Sequence, residues 1–196
     1  MVDFVLGGPA RGDDFCFRAA FLDALWDCLK KNNVLLVAPR RMGKTSVMYR
    51  LVDHPRNNHL VVYLSVDVFD NPGDFFINLI IAIKESQPDY FYGHLGVIWG
   101  LYKNILRQPR NIEPFEIKEA LRKELDWSTH WEDQAGQLIN GIRKLNQPIL
   151  FVIDELPDLF LRMQKHSPNQ LDAFLHWFRV VREIPISLKK VTNNAV

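Results

Sequence analysis

The stretch Leu35-Leu36-Val37-Ala38-Pro39-Arg40-Arg41-Met42-Gly43-Lys44-Thr45-Ser46 carries an apolar run into a short loop that ends in Gly-Lys-Thr and opens an amphipathic segment. It restricts the fold tightly. The run must be a buried strand, the loop must expose backbone amides, and the next segment must be a helix whose amino end faces an anion. Such a phosphate-binding loop follows the pattern G-x-x-x-x-G-K-[ST], and this chain has Ala38 where the first glycine stands. Alanine serves there provided the turn needs no positive φ. On this reading the backbone amides of Arg41, Met42, Gly43, Lys44, Thr45 and Ser46 wrap a β-phosphate, Lys44 reaches the β and γ oxygens, and the Thr45 hydroxyl binds Mg²⁺. Gly-Lys-Thr also arises by chance at helix starts, so the loop needs support from elsewhere in the chain.

The order of elements supplies part of that support. Helical spacing runs from Phe15 to Lys30 through Phe17, Phe21, Leu22, Leu25, Trp26 and Leu29, with Asp13 or Asp14 as the expected cap. Val34 to Val37 is a continuous apolar run, expected to be a strand covered on both faces. A helix follows from Lys44 to Val52, then a buried strand over Leu60–Val66 and a helix over Phe75–Lys84. Residues 86–130 read as a helical insertion or irregular region, with aromatics clustered from Tyr90 to Tyr102 and a helix around Leu95 to Leu106. Amphipathic helices are expected over Pro114–Leu125 and Trp131–Leu145, a buried strand over Ile149–Ile153, and a helix over Asn169–Val181. The alternation argues for an α/β fold, a mostly parallel sheet with helices on both faces.

The second motif is the end of the strand Ile149-Leu150-Phe151-Val152-Ile153, which runs into Asp154-Glu155. Carboxylates at the carboxyl end of a strand stand beside the ligand crevice of an open sheet. Asp154 is expected to hold Mg²⁺ through water, and Glu155 to accept a proton from an attacking water; the plainer role for the pair is a helix cap. Arg40 and Arg41 place two charges on the loop tip, where steering of a nucleotide and simple solvation are equally good readings. Phe15, Phe17 and Arg18 could approach the base, although core packing is the better reading of the two phenylalanines. Asp67 could face the same crevice or cap the turn that follows it.

Composition excludes several classes. With 47% apolar and 24% charged residues the chain is neither disordered nor fibrous, and a net charge of +1 gives no broad attraction for nucleic acid or an anionic membrane. Cys16 and Cys28 form neither a metal knuckle nor a disulfide framework and are expected to be buried thiols. The six histidines show no metal-ligand spacing. There is no basic segment leading into an apolar core at the amino terminus and no run of about 18 apolar residues, so a cytoplasmic protein without membrane contact is expected.

The motifs Gly12-Asp13-Asp14-Phe15 with Arg18, Ala38-Pro39-Arg40-Arg41-Met42-Gly43-Lys44-Thr45-Ser46, and Phe151-Val152-Ile153-Asp154-Glu155-Leu156-Pro157 resemble those of P-loop ATPases of the archaeal-type ATPase group, relatives of AAA+ and STAND proteins. The resemblance spans about Gly8 to Arg182. Alanine before Pro-Arg-Arg-x-Gly-Lys-Thr is common in that group. The resemblance implies a three-layer P-loop NTPase fold around a five-stranded parallel sheet, with ATP and Mg²⁺ bound and a conformational switch or motor driven by hydrolysis. It also implies a protein partner or a homo-oligomer; nucleic acid enters by family analogy only. Residues 1–183 would form the ATPase domain. Such proteins continue into a central strand with a polar sensor residue and then a helical lid. Ile186 to Val191 is a poor match for that strand because of Lys189-Lys190, so the sheet is expected to be incomplete at its carboxyl end and residues 184–196 to form a poorly ordered tail. Two readings stay open: an Mg-dependent ATPase, or a truncated nucleotide-binding regulatory module with little or no hydrolysis. A small-molecule phosphotransferase is disfavoured, since Glu155 suits water activation and no acceptor pocket is evident.

Overall fold

A computed structural model describes residues 8–12, 15, 18–86, 114–124, 126–127, 129–143, 147–183 and 189–194. Among them the chain forms α1 (Ala19–Leu29), β1 (Val34–Val37), α2 (Lys44–Asp53), β2 (Leu60–Ser65), α3 (Pro72–Ser86), α4 (Pro114–Glu124), α5 (Trp131–Arg143), β3 (Ile149–Asp154), α6 (Leu156–His166), α7 (Pro168–Glu183) and β4 (Lys189–Asn194). It is a mixed α/β chain that divides into two compact units, one comprising Met1–Val68, Pro148–Leu159 and Ile184–Val196, the other Phe69–Gln147 and Phe160–Glu183.

The first unit is built on a sheet in the order β1-β4-β3-β2. Every pairing in it is parallel, so the carboxyl ends of all four strands lie at one edge. On one face α1 and α2 bury Leu25, Trp26, Leu29, Met48 and Leu51 against Val61, Leu150 and Val152. Met48 and Leu51 are fully enclosed, and each such side chain contributes on the order of 1.5–3 kcal/mol. The alternate residues Val62, Phe151 and Ile153 are buried too, as the unbroken apolar runs of β2 and β3 require.

Five expectations need correction in this unit. β1 is not covered on both faces: Val34 and Leu36 pack on the core, whereas Leu35 and Val37 are 50% and 58% exposed, because β1 is the outer strand of this sheet. The segment taken for a poorly ordered tail contains β4, which occupies the place between β1 and β3. Its register explains how a strand with two lysines fits, for Lys189 and Lys190 pair at its start with Leu150 and Phe151, while Val191 and Thr192 hold the middle beside Val152 and Ile153. The strand lies three residues later than the window Ile186–Val191. The helix α1 starts at Ala19 with Arg18 at its cap and no side-chain capping bond; Asp13, Asp14, Cys16 and Phe17 lie outside the described residues. Cys28 is exposed, since the buried stripe of α1 runs through Leu22, Leu25, Trp26 and Leu29 and passes it by. Phe21 misses the stripe as well and is 45% exposed.

In the second unit α3 is apolar almost all round, and Phe75, Phe76, Ile77, Ile80 and Ile83 are enclosed. Its centre is aromatic. The Phe76 ring stacks on Trp131 at 5.7 Å between centroids and meets Trp177 edge-on at 4.7 Å, geometries that add about 0.5–1.5 kcal/mol each beyond area burial. Gly73 sits so close to Trp127 that a Cβ there would be 2.7 Å from the Trp127 Cβ. The expected aromatic cluster from Tyr90 to Tyr102 and the helix Leu95–Leu106 lie outside the described residues. One helix, α6, has no counterpart in the periodicity reading: Pro157 looks like a breaker, yet a proline in the first turn lacks only an N–H that has no partner there anyway.

Candidate functional site

Val37 ends β1 and Asp154 ends β3 at the same edge of the parallel sheet, with β4 between them. Two inter-strand spacings separate β1 from β3, about 10 Å. The loop after Val37 spans that gap. Left-handed backbone occurs at Arg41 (φ 62°) and Gly43 (φ 78°) and not at Ala38, so the alanine in the first glycine's place meets no conformational demand. Glycine meets the left-handed demand at Gly43 without strain, whereas Arg41 meets it with a side chain. Gly43 forms the cap of α2 without a side-chain hydrogen bond. The first bond into that helix runs from the Val47 amide to the Gly43 carbonyl at 3.0 Å, which leaves the amides of Lys44, Thr45 and Ser46 without an acceptor inside the helix.

The side chains converge on the same edge. Lys44 Nζ turns back over the loop and donates to the Ala38 carbonyl at 2.7 Å. Thr45 Oγ1 donates to Asp154 Oδ2 at 2.9 Å, a contact between residues 109 positions apart. Asp154 is 3% exposed. Its Oδ2 also accepts the Tyr63 hydroxyl at 3.1 Å, and its Oδ1 accepts the Glu155 amide at 3.0 Å. The phenol of Tyr63 is held well above its ordinary pKa by burial and by the Asp154 charge, so it stays a donor. Its ring packs on Tyr49 of α2 at 4.9 Å. Ser46 is buried, whereas Arg40, Arg41 and Met42 are exposed at the loop tip.

Glu155 follows directly, with non-glycine backbone in the left-handed region at φ 59°. Its carbonyl accepts the Asp158 amide at 3.1 Å, the first bond into α6. Desolvation raises the Glu155 pKa, with the charges of Asp154 and Asp158 acting in the same direction and those of Lys44 and Arg40 opposing. Strained backbone and a shifted carboxyl at one residue is the combination seen where function holds a side chain in place.

Among the described residues no group of three or more His, Cys, Asp or Glu side chains is arranged to hold an ion. What the edge of the sheet offers a cation is a hydroxyl and a carboxylate, hard oxygen donors of the kind Mg²⁺ takes when a phosphate and waters complete its shell. No protein-family model, curated protein or solved structure matches the chain. No described helix is long and apolar enough to cross a membrane.

Tyr63 was not legible as a site residue, and Arg18 was read only as a neighbour of the base. The Arg18 guanidinium donates to the Met42 carbonyl at 2.8 Å and lies beside Gly43, holding the loop from outside. Its place in the motif before the first helix was the available signal. Tyr63 gave no signal beyond lying in a strand. Asp67 accepts the Ser65 hydroxyl at 2.9 Å, and Phe15 packs on the core beneath Arg50. In the second unit a cavity of about 400 Å³ is lined by Asn71, Asp74, Arg122 and Trp127, among others. None of the residues singled out in the sequence borders it.

Proposed function

We propose that this chain is a P-loop ATPase domain of the archaeal-type group that binds ATP with Mg²⁺ and hydrolyses it to drive a conformational switch. The observation that carries the reading is the Thr45–Asp154 hydrogen bond, because it joins the two motifs that a nucleotide site requires and that the sequence keeps far apart. The amides of Lys44, Thr45 and Ser46, which have no acceptor inside α2, and the Lys44 ammonium suit the β and γ phosphates. When bound, Mg²⁺ would neutralise charge on those phosphates, with Thr45 and Asp154 as its protein-side oxygens. Glu155 accepts a proton from water as the water oxygen bonds to the γ-phosphorus and the bond to the β–γ bridging oxygen breaks, giving ADP and phosphate.

The resemblance implies a strand with a polar sensor residue between the loop strand and the Asp-Glu strand, and β4 ends in Thr192-Asn193-Asn194 in register with Leu35, Leu36 and Val37. That placement favours turnover over a bare binding module. The three-layer arrangement, a fifth strand, a protein partner or homo-oligomer, and cytoplasmic location belong to the same proposal.

Thermal melting with Mg·ATP tests binding. At a ligand concentration of 100 times Kd the stabilisation is about 2.7 kcal/mol, or roughly 5–10 °C for a chain of this size, and Lys44→Ala should abolish it. No shift in the wild type would refute the reading. Single-turnover phosphate release then separates enzyme from module: release lost in Glu155→Gln supports hydrolysis, and binding without release in the wild type supports the module.

A further inference from the structure

Tyr63 donates to Asp154 and belongs to neither motif. β2 runs beside β3 with Ser65 opposite Asp154 and Tyr63 opposite Val152. The two-residue period puts Tyr63 and Asp154 on the same face as diagonal neighbours, within reach of a long aromatic side chain. The phenol uses that reach to donate to Oδ2, the same oxygen that takes the Thr45 hydroxyl. With the Glu155 amide on Oδ1, the carboxylate is gripped at both ends, and rotating it breaks at least one charge-assisted bond. Phenylalanine would occupy the same space and grip nothing.

The phenol is itself held in place. Its ring packs on Tyr49 at 4.9 Å between centroids. The Arg11 guanidinium lies 4.8 Å above the Tyr49 ring and is tied down by a two-pronged pair with Asp53. A chain of contacts thus runs from Arg11 through Tyr49 and Tyr63 to the carboxylate.

We infer that Tyr63 is a positioning residue for the metal: its hydroxyl, acting through Asp154, fixes the carboxylate in the orientation on which Mg²⁺ affinity depends. The inference rests on the nucleotide reading above. Groups that orient metal-binding side chains from behind are commonly worth about 10- to 100-fold in metal affinity.

The test is a Mg²⁺ titration of fluorescent ADP binding to wild type, Tyr63→Phe and Tyr49→Phe. Tyr63→Phe should raise the half-saturating Mg²⁺ concentration roughly tenfold and leave the nucleotide affinity measured in EDTA unchanged, since the loop amides and Lys44 do not touch Tyr63. Tyr49→Phe removes a hydroxyl from the same packing without touching Asp154 and should stay within about twofold of wild type. Equal Mg²⁺ midpoints for Tyr63→Phe and wild type would overturn the inference, as would an equal shift in Tyr49→Phe or a matching loss of affinity in EDTA. A wild type that binds no nucleotide removes the ATPase reading and this inference together. A wild type that responds to Mg²⁺ while Tyr63→Phe responds identically removes the inference alone.

Discussion

Gly43→Ala is the perturbation whose cost can be worked most directly from the loop geometry. The residue sits at φ 78°, ψ 26°, where an L-side chain costs about 1–2 kcal/mol. Replacing glycine also narrows the unfolded ensemble, which returns about 0.4–1 kcal/mol. The new Cβ would lie 3.6–3.8 Å from the guanidinium of Arg18, ordinary contact with the far end of a flexible side chain, so packing adds nothing. The expected net loss is about 1 kcal/mol, read as a roughly fivefold drop in amide-exchange protection along α2. Gly43→Asn should lose less, because asparagine tolerates the left-handed region better. If Gly43→Ala is as protected as the wild type, or Gly43→Asn is the worse of the two, the left-handed cap is not what selects glycine. A loss of 3 kcal/mol or more, beyond what this strain supplies, would mean that the Cβ meets something other than Arg18.

Gly73→Ala should fail for the opposite reason. Its Cβ would lie 2.7 Å from the Trp127 Cβ and 3.1 Å from the Trp127 carbonyl, and such overpacking costs about 1–3 kcal/mol, measurable by urea unfolding followed through tryptophan fluorescence. The Arg11–Asp53 pair gives a pH signature: the hydrogen bond from Arg11 lowers the Asp53 pKa, so its contribution is present above the unfolded carboxylate value near 4 and is lost as pH falls through the folded one. Wild type should therefore melt above Asp53→Asn at pH 7, with the gap closing below about pH 4. Glu155→Gly should relieve left-handed strain and raise stability by about 1 kcal/mol while ending single-turnover phosphate release; a lower melting temperature would show that the backbone at Glu155 is not strained.

Legibility in the sequence followed what each position asks of a side chain. Strands β2 and β3 are buried on both sides, so burial shows in every letter, and their helices carry a periodic stripe. β1 reads the same way from four apolar letters, yet half of them are exposed, because an outer strand and an inner one can share a composition. β4 was missed since parallel pairing is made by backbone, and Lys189-Lys190 at the strand's entrance outweighed Val191-Thr192 behind it. The phosphate loop and Asp154-Glu155 were legible as motifs, where fixed chemistry demands fixed residue types. Tyr63 was not, because its part in the site comes from where the chain places it and not from a local pattern, and Arg18 was legible as a motif residue but not in its hold on the loop.

The position of β4 also orders the making of the molecule. β1 and β3 have no pairing with one another, and each hydrogen-bonds to the strand that comes after both. The latest of these four strands in the chain is thus an interior one, and their pairing is not complete until residue 194 has been synthesised. Until then β1 has no partner among the described strands, and β3 has none on the side where β4 belongs. Pairings so distant in sequence form slowly, since long loops must close first. A ribosome carrying a chain short of residue 189 would therefore hold β1 unpaired in this sheet, with its loop joined to the carboxylate edge only through the packing of α2 on β2 and β3.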